Sequence, residues 1–277
     1  MNSEILKLEN ISFAYDDETT IDNVTVSLKS GDKIAVLGSN GAGKSTLFLL
    51  CNGVLTAKSG RIYFGGKLIG KSQKELNFLR ENVGLVFQDP DHQIIASTVY
   101  SEISFGPLNL NIAVEDAKRR VENAIQTMNL ENMRNKPPHY LSGGEKKRVT
   151  IADILAMNSE VILLDEPTAS LDPKNVIALK KTLDKLSENN KTLMISTHDI
   201  NFAYGWANRI IVMNDGKIIC DDIPENIFAQ KQVLEKASLN EPYVFKFYQM
   251  LKEKNLLKKD SNTPNSIEQL KEIIIGE

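Results

Sequence analysis

An α/β domain built around a largely parallel sheet is what this 277-residue sequence predicts. Three observations point to it. Short apolar runs such as Lys33–Leu37, Val161–Leu164 and Thr192–Ser196 are too brief for helices and read as buried strands. Segments of helical composition lie between them, and one run leads through a glycine-rich turn straight into a helix.

Taken in order, Ile5–Leu8, Ile11–Tyr15 and Val24–Leu28 read as strands of an N-terminal antiparallel region that ends at the Gly31-Asp32 turn. Lys33–Leu37 is a buried strand, and Lys44–Asn52 a helix. Arg61–Phe64 and Lys67–Ile69 flank Gly65-Gly66, a two-residue hairpin signal. Asn82–Phe87 is another buried strand. From Asp89 to Lys136 the chain is mostly helical, with apolar residues at helical spacing over Val114–Met128, and Pro137-Pro138 breaks that pattern. Ser142–Met157 is a helix with a glycine-rich start, and Pro173–Glu188 is an amphipathic helix. Ile210–Met213 and Lys217–Cys220 form a last hairpin around Asp215-Gly216. The domain is placed at 1–238. Residues 239–277, richer in Lys and Glu, are read as a small helical extension, with Asn265 and Glu268 as a capping-box signal before Leu270–Ile275.

Composition narrows the function. The chain is 42% apolar and 25% charged, as in ordinary globular proteins. A formal charge of -3 gives no reason to expect a nucleic-acid partner. Cys51 and Cys220 stand far apart, which suits a reducing compartment, and three histidines without ligand spacing argue against a resident transition metal. No leader-like segment opens the sequence, and no run nears the ~20 apolar residues that span a bilayer.

Gly38-Ser39-Asn40-Gly41-Ala42-Gly43-Lys44-Ser45 matches the GxxxxGK[ST] phosphate loop in the strand-to-helix context it requires. Its glycines let backbone N–H groups turn inward as an anion nest, and the helix dipole adds positive potential. Lys44 is expected on the β- and γ-phosphates of a nucleotide, and Ser45 on Mg²⁺. At the end of Val161–Leu164 two acids emerge where open α/β sheets bind ligands: Asp165 to hold Mg²⁺ and Glu166 to polarise an attacking water. These features alone also fit a P-loop kinase or GTPase. No Asn-Lys-x-Asp guanine-reading motif is present.

Leu141-Ser142-Gly143-Gly144-Glu145, followed by Lys146-Lys147-Arg148, resembles the signature motif of ATP-binding-cassette ATPases, and the resemblance covers about residues 1–238. It implies a P-loop fold with a helical signature subdomain, working as a dimer that sandwiches two ATP molecules. Leu141, Ser142, Gly143 and Gly144 would then contact the nucleotide held by the other subunit. It further implies adenine stacking on Tyr15, nucleotide contacts continuing through Thr46, and Gln88 in the Mg²⁺ shell. Asp172, in Ser170-Leu171-Asp172, would cross the dimer interface, and His198 would meet the γ-phosphate. Glu145 departs from the family's usual glutamine and cannot donate an amide hydrogen bond. The stretch from Asp89-Pro90-Asp91-His92-Gln93 to Ser104–Leu110 looks like the ATPases of energy-coupling factor importers, and Ser196–Ala207 is similar to their cobalt/nickel branch. That likeness implies an ATP hydrolase coupled to solute uptake. It would sit peripherally on the cytoplasmic face of the cell membrane, beside an integral scaffold subunit and a membrane substrate-binding subunit. Vitamins remain an alternative cargo, a soluble non-transport ATPase remains an alternative function, and the second cassette can be a copy of this chain or a relative.

Overall fold

The computed structural model describes residues 3–110, 112–169, 171–257 and 262–275. In chain order the elements are β1 (Glu4–Tyr15), β2 (Glu18–Lys29), β3 (Lys33–Leu37), α1 (Lys44–Asn52), β4 (Ser59–Phe64), β5 (Lys67–Ile69), α2 (Gln73–Asn82), β6 (Val83–Val86), α3 (Val99–Asn109) and α4 (Val114–Thr127). They continue as α5 (Gly143–Met157), β7 (Val161–Asp165), α6 (Pro173–Glu188), β8 (Thr192–Ser196), α7 (Ile200–Trp206), β9 (Arg209–Asn214), β10 (Lys217–Asp222), α8 (Pro224–Phe228), α9 (Lys231–Ala237), α10 (Tyr243–Glu253) and α11 (Ile267–Ile275).

Two sheets form. One is antiparallel, in the order β2-β1-β4-β5; the other runs β10-β9-β3-β8-β7-β6 and is parallel except for β10 at its edge. The second explains why its strands read as unbroken apolar runs. Ile34, Val36, Val161 and Leu163 face one core, shared with the antiparallel sheet and α1. Ala35, Leu37, Ile162 and Leu164 face the other, shared with α3 through α10. A strand buried on both faces has no polar side to alternate.

Two expectations need correction, and one helix had none. The segments Ile5–Leu8 and Ile11–Tyr15 are one strand, joined through Asn10 at φ 51 with a register shift between Leu8 and Ile11. A β-bulge there keeps both halves paired with β2. The helix α2 escapes a periodicity reading because only Leu79 of its ten residues is buried; it starts at Ser72, whose side chain accepts from Glu75 N–H. Ahead of α11, Ser266 and Gln269 carry the capping bonds rather than Asn265 and Glu268. Ser266 Oγ accepts from Gln269 N–H at 3.2 Å, and Gln269 Oε1 accepts from Asn265 N–H at 2.9 Å. The hairpin at Gly65-Gly66 forms as expected, with Phe64 opposite Lys67.

Helix α10 is packed against the main core. Phe245 and Tyr248 of α10 are 3% and 2% exposed, and Phe245 meets Tyr204 of α7 with ring centroids 5.8 Å apart. Tyr204 Oη donates to Pro264 O at 2.9 Å, and Tyr243 N–H donates to Asn201 Oδ1 at 2.9 Å. Truncating a buried phenylalanine of this kind costs about 3–5 kcal/mol. Phe245→Ala is therefore expected to lower the thermal midpoint of the whole domain in one cooperative transition. A variant melting at the wild-type temperature would show that α10 contributes nothing to the core.

Candidate nucleotide site

The phosphate loop is held by backbone contacts that only glycine allows. At Gly38, φ 153, a Cβ would lie 2.3 Å from Met213 O of β9; at Gly43, φ 97, it would lie 2.9 Å from Thr20 O of β2. Ala42 N–H donates to Ser39 O, and Gly216 N–H donates to Ala42 O, so the β9–β10 turn supports the loop from outside. Lys44, only 7% exposed, folds back along the loop and donates to Gly38 O at 2.8 Å and Ser39 O at 3.0 Å. Burial lowers its pKa, against the opposing pull of Glu166 and Asp165.

The acids at the end of β7 are fixed by β8. Asp165 pairs with Ser196 in register, and the buried Ser196 hydroxyl donates to Asp165 Oδ1 while accepting from Glu166 N–H at 3.0 Å. Glu166 adopts φ 45, a left-handed conformation that costs an ordinary residue roughly 1–2 kcal/mol. The bend turns its carboxylate across the strand end, where Oε1 lies 3.0 Å from His198 Nε2. Desolvation raises the Glu166 pKa, with His198 and Lys44 pulling the other way. A carboxylate raised toward neutrality is a better proton acceptor.

A cavity of about 250 Å³ gathers Asn40, Gly41, Ala42, Gly43, Lys44, Ser45 and Thr46 with Gln88, Asp165, Glu166 and His198. Thr20 of β2 also lines it, a residue that carried no motif in the sequence. Gly38, Ser39 and His198 border a wider hollow of about 880 Å³ beside α9 and α10. Ser45, Gln88 and Asp165 offer hydroxyl, amide and carboxylate oxygens on one cavity, the all-oxygen set that suits Mg²⁺. Among the described residues there is no cluster of three or more His, Cys, Asp or Glu positioned to hold a metal.

Other predicted residues lie apart. Tyr15 is 47% exposed at the β1–β2 turn, its ring edge-on to Phe13 at 4.9 Å, and it does not line the cavity. Nor do Leu141, Ser142, Gly143 and Gly144. They sit at the start of α5, where Ser142 and Glu145 form a capping box: Glu145 Oε2 accepts from Ser142 N–H at 2.7 Å and from Ser142 Oγ at 2.8 Å. Those bonds hold the Glu145 carboxyl below its usual range. A Cβ on Gly144 would come 3.3 Å from Leu171 Cδ2, so the signature loop lies against the segment before α6. Asp172 caps α6, accepting from Asn175 N–H at 2.9 Å. Ser170 lies outside the described residues.

Nothing in the basic run Lys146-Lys147-Arg148 singles out Lys147 in the sequence. The residue is 2% exposed in the structure, and its ammonium reaches backbone carbonyls beside the cavity.

The model of the ABC transporter family matches residues 21–169. The energy-coupling factor transporter ATP-binding protein EcfA of Methanocaldococcus jannaschii is 43% identical over 91% of this chain and 90% of its own length. EcfA2 of Methanospirillum hungatei is 42% identical over 91% of this chain, which spans 64% of that longer relative. Among solved structures, cbiO1 of Clostridium perfringens, part of the ABC transporter complex cbiONQ, superposes with a TM-score of 0.75. It is 38% identical, and the match covers 91% of this chain and all of that one. The chain belongs to the ABC transporter family, among its energy-coupling factor ATP-binding proteins.

Proposed function

We propose that this chain binds and hydrolyses ATP as the energy-coupling subunit of an importer for cobalt or nickel ions. The observation that carries the ATPase reading is the split site. One cavity unites the phosphate loop, Gln88, Asp165, Glu166 and His198, while the signature loop of the same chain stands outside it. A half-site of that kind is completed by a second cassette, whose Leu141, Ser142, Gly143 and Gly144 would close over the nucleotide held here.

In this reading Lys44 exchanges its loop carbonyls for the β- and γ-phosphates, and Tyr15 stacks on the adenine. Ser45, Gln88 and Asp165 would hold Mg²⁺, which when bound screens the phosphate charge. Glu166 accepts the proton of the attacking water, and His198 keeps its carboxylate oriented and meets the γ-phosphate. Asp172 and its neighbours cross to the second subunit. Glu166→Gln removes the base while keeping the shape, so phosphate release is expected to fall by about 10²–10⁴-fold with ATP still bound. The protein should then accumulate as an ATP-dependent dimer on gel filtration; normal turnover would remove Glu166 from the base role.

No helix among the described residues is long and apolar enough to cross a membrane, so translocation is assigned to integral partners, a scaffold and a substrate-binding subunit. The surface that supports docking is the segment after Gln88, where Ile95, Phe105 and Leu108 are 72%, 56% and 61% exposed. Exposed apolar side chains gathered in one stretch mark a contact surface. Leu108→Glu is expected to abolish co-purification with the membrane partners and leave ATP binding unchanged; retained association would move the docking site elsewhere.

Residues 239–277 are proposed to help hold the two cassettes together. Tyr243, Phe247 and Met250 of α10 are 67%, 57% and 48% exposed, an apolar surface beside the buried Phe245 and Tyr248. Deleting the extension would also open the core, so the cleaner test is Phe247→Glu. It should weaken the nucleotide-free dimer without lowering the thermal midpoint.

The cargo rests on the likeness of Ser196–Ala207 to the cobalt/nickel branch. Uptake of labelled Co²⁺, Ni²⁺ and vitamins by cells lacking the protein, with and without its return, tests it. Restored metal uptake supports the proposal, restored vitamin uptake reassigns the cargo, and a wholly soluble complex would overturn the importer reading.

A further inference from the structure

We propose that Lys147 is a positioning residue that locks the signature helix to the two strand ends carrying Gln88, Asp165 and Glu166. The inference rests on the ATPase reading above and adds a residue to which no motif assigns a role.

An ammonium has three protons, and each of those on Lys147 has an acceptor. It donates to Phe87 O at 2.8 Å, Gln88 O at 3.0 Å and Asp165 O at 3.2 Å. The first two acceptors follow β6 and the third ends β7, while the lysine itself belongs to α5, one helical turn beyond Gly143. Three elements thus meet at one nitrogen. None of the three acceptors is a carboxylate, so the cation lies buried without a direct ion pair. Burial pulls its pKa down to about 8, against Asp165, Glu166 and Asp89. Burying a charge is costly, and an apolar side chain of similar length would fill the same volume without that cost. What the apolar chain would lack is the triple anchor.

Neighbouring side chains strengthen the same junction. Gln93 Oε1 accepts from Phe87 N–H at 3.2 Å, while its Nε2 donates to Thr150 O of α5 at 3.2 Å. Lys146 Nζ lies 2.6 Å from Asp91 Oδ1. The segment from Phe87 to Gln93 is therefore bound along α5 by several side chains, and Lys147 extends the connection to the end of β7.

Steady-state ATP turnover, binding of a fluorescent ATP analogue and thermal melting, measured for wild type, Lys147→Met and Lys147→Gln, test the proposal. Methionine is one heavy atom shorter and loses all three donors; glutamine, also one atom shorter along the chain, keeps two N–H donors. Misplacement of catalytic groups lowers kcat, so Lys147→Met is expected to lose at least about tenfold in kcat. Its KM and analogue affinity should stay within about twofold. Lys147→Gln should recover part of the loss. Wild-type kcat in Lys147→Met, or a loss that follows the folded fraction in the melting curve, would overturn the proposal. If the methionine variant does not fold, wild-type kcat in Lys147→Gln rejects it, and a lowered kcat with unchanged affinity upholds it. Absence of ATP turnover in the wild type would instead sink the ATPase reading itself.

Discussion

Three parallel strands finish side by side because β3 pairs with β8 and β8 with β7, Val36 beside Ser196 and Ser196 beside Asp165. The Ser196 hydroxyl lies at that common edge, fully buried, donating to the Asp165 carboxylate and accepting from the Glu166 backbone N–H at once. The edge therefore delivers the phosphate loop from β3, the two acids from β7 and the His198 segment from β8 to one place. Register does this work: slipping β8 by one residue would turn Ser196 to the opposite face of the sheet. The apolar layers on both sides of the sheet make such a slip costly, since each strand buries a different set of side chains in each core.

The resulting site is a small group of charges kept from water at some expense. Lys44, Asp165 and Glu166 are 7%, 7% and 6% exposed. Burial lowers the lysine's pKa and raises that of Glu166, while each partly restores the other's charge. A site in that condition responds strongly to an incoming polyanion and its counter-ion, because low local polarity amplifies every electrostatic contact.

Much of this was legible in the residues because the relevant signals are local. The phosphate loop, the acidic end of Val161–Leu164 and the hairpin at Gly65-Gly66 are each written in fewer than ten consecutive residues. What stayed hidden depends on three-dimensional neighbours. Lys146, Lys147 and Arg148 look alike in sequence, yet Lys147 faces inward to carbonyls while Lys146 reaches the exposed Asp91. Arg148 donates to Met128 O and Asn129 O. Thr20 enters the cavity only because β2 passes beside the loop. The helix α2 was missed although Ser72 and Glu75 carry a capping signal, since so little of its surface is apolar. Asn10 and Ser266 show the other limit, in that local pattern marks a boundary to within a residue or two without choosing the residue that serves.

The capping box at Ser142 and Glu145 has a consequence for how two such subunits would associate. The serine hydroxyl and its N–H are already engaged by one carboxylate oxygen. A phosphate approaching from the other cassette, as proposed, would compete with that carboxylate for the same hydrogens. Closure then becomes an exchange of partners, with a small net change in bonding, and the same carboxylate stands ready to reclaim the serine when the subunits part. The Glu145 carboxylate thus gives the loop a resting ligand of its own.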